Sequence, residues 1–367
     1  MNGTHHRYPR SGSAIQLAVS SLILALAPAC GDDQGSSGPT TEQALEYTTD
    51  AVIVPSVLAF ESSTVDLNDR VTAFCAAPDA PGLSSLQQAW VELSLDWNQA
   101  VIYFFGPLRD DLIVPSMLFI ESKRQRGRDF TETVREGIDA AVHGSESLDK
   151  TYFEGLPFDE VGLLALEILI FEDTTEAHST ESGDVLSEYE AEPRKCEVLR
   201  GMSELLLGRA RAVAEGWTSD FEGTGTSFRD RFVAGELEDG DDPTATLFVA
   251  LLDHLGYVDQ RKLRGTLDAR VAGIFYDNLE STVREVSATL EGGDGEGPSF
   301  FDVMIANGAE SDVETIREAV DVALEIATDV RSRQNMSVAV QALAESIRAR
   351  VPPALDIDLG IEFADGD

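Results

Sequence analysis

Basic residues, histidine, cysteine and β-strand patterning are all scarce in this 367-residue sequence. Only 27 Lys and Arg stand against 66 Asp and Glu, for a net charge of −39. A chain that negative repels nucleic acid and anionic lipid headgroups, so no nucleic-acid partner is expected. The same charge suits solubility or a high-salt environment and attracts cations only loosely. No run of alternating β-branched residues lies between tight turns, which argues against sheet architectures. His143, His178 and His254 are the histidines beyond the N-terminal region, and no two are within helical reach of each other. A local histidine-rich metal site is thereby excluded. His178 and Glu181 have His-x-x-Glu spacing, but in a segment that reads as loop, where that spacing does not bring two ligands to one face. The zinc-protease His-Glu-x-x-His helix, the phosphate loop, the Gly-x-Ser-x-Gly elbow and Cys-x-x-Cys are all missing. Glycine and proline, 30 and 14 residues, are too few for a disordered chain. What is present is 43% hydrophobic residues, enough for one large or two modest cores.

The N-terminus reads as a targeting segment. Arg7 and Arg10 precede an apolar stretch from Ala14 to Ala27 that is short for a membrane-spanning helix, so residues 1–29 are expected to be a secretory signal. Ala27-Pro28-Ala29 fits ordinary signal peptidase, and Cys30 directly after it resembles the lipidated first residue of a bacterial lipoprotein. Residues 30–41, rich in Gly, Ser and Asp, would then be a lipid-anchored tether, with the membrane as partner through Cys30. The alternative is a secreted soluble protein with a stray cysteine. Cys75 and Cys196 are the two cysteines left over, and an exported compartment permits one bridge between them, the other reading being two buried thiols.

Helical periodicity dominates the remainder. Leu86, Trp90, Leu93, Trp97, Val101 and Phe104 fall at three- and four-residue steps and predict a helix from Ser85 to Phe105, stopped by Gly106-Pro107. Residues 42–74 predict one or two helices with a kink at Pro55, and further helices are expected at 129–142, 157–171, 193–217, 244–258 and 262–290. Ser311 and Glu314 form a capping-box pattern ahead of the stripe Val313, Ile316, Val320, Leu324 and Ala327. A last helix ends near Pro352. The fold class is therefore all-α. Residues 175–192, acidic and turn-rich, divide it into two helical-bundle lobes, an N-terminal bundle at 42–174 and a C-terminal bundle at 193–352, followed by an acidic tail at 353–367.

One residue breaks the pattern. Glu167 is the lone charge within "VGLLALEILIF", residues 161–171, a segment apolar nearly all round. A buried carboxylate must be paired, protonated or metal-bound, because burying it bare costs several kcal/mol. A structural role would pair it with a basic side chain from the second lobe, Arg194, Arg200 or Lys262. It could instead line a pocket for a metal or small ligand, act as a base, or turn out to solvent.

Five segments, "DAVIVPSVLAFESSTVDLNDRVTAFCAAP", "LQQAWVELSLDWNQAVIYFFGPL", "VGLLALEILIFED", "RKCEVLRGMSELLLGRARAVAEGW" and "YVDQRKLRGTLDAR", resemble in this order the landmarks of the imelysin-like family. The resemblance spans residues 45–345. It implies a bacterial envelope protein, in many members a lipoprotein of the periplasm, built from two helical bundles and associated with iron uptake. The family was once classed as metallopeptidases. Its Gly-x-His-x-x-Glu signature, proposed to bind a metal, falls here on Gly162, Leu164 and Glu167. Histidine and glutamate three apart share a helix face and could ligate one ion; leucine cannot. The expectation is thus a non-catalytic imelysin-like lipoprotein. It would bind a small ligand, or iron or another divalent ion at Glu167, alongside envelope iron-uptake components. A metal-dependent peptidase and a ligand-free structural scaffold are the alternatives.

Overall fold

The computed structural model describes residues 38–110, 115–122, 128–175, 177–237, 240–265 and 268–360. The expected signal segment, Cys30, most of the tether and the last seven residues of the acidic tail lie outside them. Among the described residues there is no strand. The helices are α1 (Thr41–Thr48), α2 (Val54–Ala76), α3 (Ala80–Ala100), α4 (Thr131–His143), α5 (Lys150–Glu154), α6 (Leu163–Phe171), α7 (Ser182–Ala191) and α8 (Pro193–Thr218). They continue with α9 (Phe228–Val233), α10 (Pro243–Tyr257), α11 (Phe275–Glu291), α12 (Phe300–Ala306), α13 (Glu310–Glu325) and α14 (Arg333–Leu355). None is long and apolar enough to cross a membrane.

Local chemistry sets the helix ends. Thr40 and Gln43 form a reciprocal cap on α1, and Ser299 with Asp302 does the same for α12. Asp79 and Asp242 accept from Gly82 N and Ala245 N at 2.7 and 2.8 Å, closing the first turns of α3 and α10. Ahead of Pro55 a single π-helical turn, Thr49–Ile53, joins α1 to α2. The pattern at Ser311 and Glu314 does not cap: α13 begins one residue earlier, at Glu310, so Ser311 lies inside the helix and its carbonyl accepts from Thr315 Oγ1.

Two helix groups share one continuous core. In the first, α2 packs between α3 and α8, with α4 to α7 laid against α8, α6 and α3. In the second, α10 to α14 pack together and α1 lies on α12 and α10. Helices α3 and α11 join the groups. Helix α8 follows the acidic segment in sequence yet packs with the first group, where Cys196 at its start is bonded to Cys75 on α2, with Cα atoms 5.5 Å apart. The acidic segment itself contains α7, whose Val185 and Tyr189 are buried.

Two sequence expectations fail in the same region and for the same reason. The helix expected over 157–171 begins only at Leu163, because Gly162 adopts φ +82°, ψ −154°. A Cβ there would stand 2.4 Å from the Ile120 carbonyl oxygen, so only glycine fits. The helix expected over 262–290 is interrupted: a π turn ends at Leu263 and α11 starts at Phe275. Between them, Ala269 and Gly273 have left-handed backbone, φ 45° and 77°, which no α-helix accommodates. The start of α6 and the 268–273 turn both face the site described next.

Candidate functional site

Glu167 is 2% exposed at the centre of α6. No basic side chain reaches it among the described residues. Its partners are main-chain groups: the N–H of Val271 and of Ala272 both donate to Oε1, at 2.8 and 3.0 Å. Oε2 has no hydrogen-bond partner among the described residues. Burial pushes the carboxyl up from 4.5 to about 7. The two backbone donors pull it down, and the negative charges of Asp268 and Glu172 add to the rise.

None of the three basic residues expected to pair with Glu167 reaches it, which corrects that expectation. Arg194 caps α4, donating from Nε to the Ala141 carbonyl at 2.7 Å and from Nη2 to the Glu146 carbonyl at 2.6 Å. Arg200 lines a separate cleft between α5 and α8. Both sit on α8, whose apolar stripe holds it against α2. Lys262 does enter the interbundle core, but its ammonium goes to Asp268 Oδ2 (2.8 Å), Glu121 Oε1 (3.2 Å) and Asn98 Oδ1 (3.1 Å). Three acceptors match its three N–H donors. Burial alone would lower the Lys262 pKa; the charges of Asp268 and Glu121 outweigh that and raise it. Burial alone would raise Glu121, whereas Lys262, with Tyr257 O–H (2.7 Å) and Trp97 Nε1–H (2.9 Å) donating, holds it well below the usual carboxylate range.

The C-terminal end of α6 is pinned by a second polar group. Arg135 grips Glu172 through Nε (2.9 Å) and Nη2 (2.6 Å), and the buried Lys195 donates to the Glu172 carbonyl at 2.9 Å while pairing with Glu188. These contacts fix where α6 ends and hence how deep Glu167 sits.

A cavity of about 70 Å³ opens beside Glu167 between α3, α6, the 268–271 turn and α11. Trp90, Trp97 and Leu164 supply apolar wall; Glu167, Asp268 and Asn278 supply polar wall. Arg128 and Arg270, both exposed, stand at its edge. Oδ1 of Asp268 is buried without a hydrogen-bond partner among the described residues.

The residues do not fit a resident metal. Leu164 lines the cavity where the Gly-x-His-x-x-Glu pattern needs imidazole. Among the described residues no group of three or more His, Cys, Asp or Glu side chains is placed to hold an ion. The two carboxylates beside Lys262, those of Glu121 and Asp268, share its ammonium. Sequence reasoning missed Glu121, Asp268, Asn98 and Tyr257 as members of this network. The signal for Asp268 was present in "YVDQRKLRGTLDAR", but Glu121 reads as an ordinary charge near the end of an apolar segment.

A family model described as imelysin matches residues 53–292. An iron-regulated protein A of Synechococcus elongatus is 29% identical over 85 residues, 23% of this chain and 23% of that protein's own length. The crystal structure of an imelysin-like protein from Psychrobacter arcticum has the same fold, with a TM-score of 0.66 at 16% identity, covering 88% of this chain and 99% of that one.

Proposed function

This chain belongs to the imelysin family, and we propose that it is a non-catalytic envelope member that binds a small ligand in the cavity beside Glu167. The observation that carries this reading is a carboxylate 2% exposed, fixed through one oxygen by two backbone N–H groups, with its other oxygen unpartnered at a cavity wall. Fixed main-chain donors pre-organise a side chain without consuming its whole hydrogen-bonding capacity. Leu164 makes the neighbouring helix position apolar, which suits an organic ligand better than a divalent ion.

The envelope setting is part of the same proposal. Arg7, Arg10, the apolar run to Ala27 and the cysteine at position 30 support export and lipid anchoring on the periplasmic side, and a Cys30→Ser chain should then leave the membrane fraction. The name of the Synechococcus relative ties that protein to regulation by iron. Carried to this chain, it supports a role beside envelope iron-uptake components, with the ligand rather than resident iron held in the cavity.

Thermal unfolding of the mature chain tests the binding. Acetate, ethanol, ethylammonium, glycine, ferrous iron and zinc are added singly. At least one organic solute should raise Tm saturably, and Leu164→Trp, which fills the cavity, should abolish the rise. The reading fails if no organic solute stabilises the protein, or if Leu164→Trp leaves the rise intact. Saturable stabilisation by ferrous iron that Glu167→Gln removes would favour the metal reading instead.

A further inference from the structure

We infer that the group this cavity takes is a small primary ammonium, an inference that rests on the cavity being a ligand site. One carboxylate oxygen at the cavity, Oε2 of Glu167, has no hydrogen-bond donor among the described residues and belongs to a side chain 2% exposed. Asp268 lines the same cavity, with its Oδ1 buried and without a partner among the described residues. A ligand that donates a hydrogen bond to Oε2 satisfies it and stands beside a second carboxylate.

The charge count selects the sign. Glu121 and Asp268 share the single ammonium of Lys262, which leaves one buried negative charge before Glu167 is considered. A monocation compensates that charge, whereas an anion meets two carboxylates at close range. The exposed Arg128 and Arg270 are screened by solvent and weigh less than the buried groups. The indoles of Trp90 and Trp97 add aromatic wall, the surface a cation prefers over an apolar one.

Size and donor number narrow the class. About 70 Å³ admits a molecule of a few heavy atoms at the closed end. A quaternary ammonium of that size has no N–H to give Oε2. A divalent metal lacks the set of ligands it requires among the described residues. A primary ammonium offers three donors, and Glu167, Asp268 and the Ser94 hydroxyl are acceptor-bearing residues of the cavity lining.

Isothermal titration of the mature chain at about pH 8, above the value of about 7 at which folded Glu167 ionises, tests this with ethylammonium, tetramethylammonium, acetate and ethanol as probes. Ethylammonium should bind saturably and at least tenfold tighter than tetramethylammonium. Glu167→Gln keeps an oxygen for the Val271 and Ala272 N–H groups and puts an amide NH₂ where Oε2 was, so it should weaken ethylammonium at least tenfold. Asp268→Asn should weaken it in the same direction and serves if the first variant does not fold. Equal binding of the two cations, or variants that bind ethylammonium like the parent, would overturn the inference. If acetate or ethanol binds, Leu164→Trp blocks it and ethylammonium does not bind, the ammonium assignment falls while cavity binding stands. If none of the four probes binds, both fall.

Discussion

Replacing Glu167 by Gln should change how stability depends on pH more than it changes the fold. In the unfolded chain this carboxyl titrates near its ordinary 4.5; in the folded protein burial lifts it to about 7. Between those values the unfolded chain has released the proton and the folded chain still holds it, so raising the pH across the window favours unfolding. At about 1.4 kcal/mol for each pH unit separating the two values, the loss is about 3 kcal/mol, complete once the pH passes the folded value. Glutamine keeps an oxygen for Val271 and Ala272 and cannot ionise, so the variant should lack this slope. Glu285 is also raised, by burial against the opposing pull of Ser56 and Tyr103, and it contributes in the same direction in both proteins, so it cancels in the difference. Glu121 is held low and acts at more acid pH, where its stabilisation is lost as the pH falls towards its folded value. Urea unfolding of both proteins from about pH 4.5 to about pH 8 gives the difference in unfolding free energy. That difference, parent minus variant, should fall by about 3 kcal/mol across the window. A flat difference, or one that rises with pH, would refute a carboxyl carried neutral into the folded state.

Lys262→Met should destabilise by about 3–5 kcal/mol in urea, because it strands Glu121 and Asp268 in the core without a cation. A loss below about 1 kcal/mol would mean that the two acids reach solvent or share a proton. Gly162→Ala should cost about 3 kcal/mol or more, since it combines a backbone region almost closed to side chains with a Cβ 2.4 Å from a carbonyl oxygen. A variant that melts within a degree or two of the parent would show that the 119–120 segment can move aside.

Long helices are legible in the sequence wherever an apolar stripe runs for several turns. The buried face of α3 carries Leu86, Trp90, Leu93 and Trp97, and that of α13 carries Val313, Ile316 and Val320, as three- and four-residue spacing requires. Short or acidic helices leave too little pattern. Helix α7 buries only Val185 and Tyr189, and its carboxylates read as a linker. Periodicity also runs on through a break it cannot sense: the left-handed residues Ala269 and Gly273 split what reads as one helix. Which helices group together is a matter of tertiary packing, so the placing of α8 against α2 was not visible from the acidic segment that precedes it.

The site divides along a different line. Glu167 is legible because a lone carboxylate in an apolar run has few physical outcomes. Its donors are not, because main-chain N–H groups have no residue identity and any two residues at positions 271 and 272 could supply them. The buried cation is legible as a residue and illegible as a partner: Lys262 was a candidate for Glu167 and serves Glu121 and Asp268. These two facts together account for the leucine at position 164. A carboxylate held by backbone donors needs no metal to stay in place, and the neighbouring acids Glu121 and Asp268 already share a covalently attached ammonium. In such a core, leucine at position 164 leaves the backbone anchoring of Glu167 intact. What it changes is the chemistry left to the cavity, from coordinating an ion towards receiving hydrogen-bond donors.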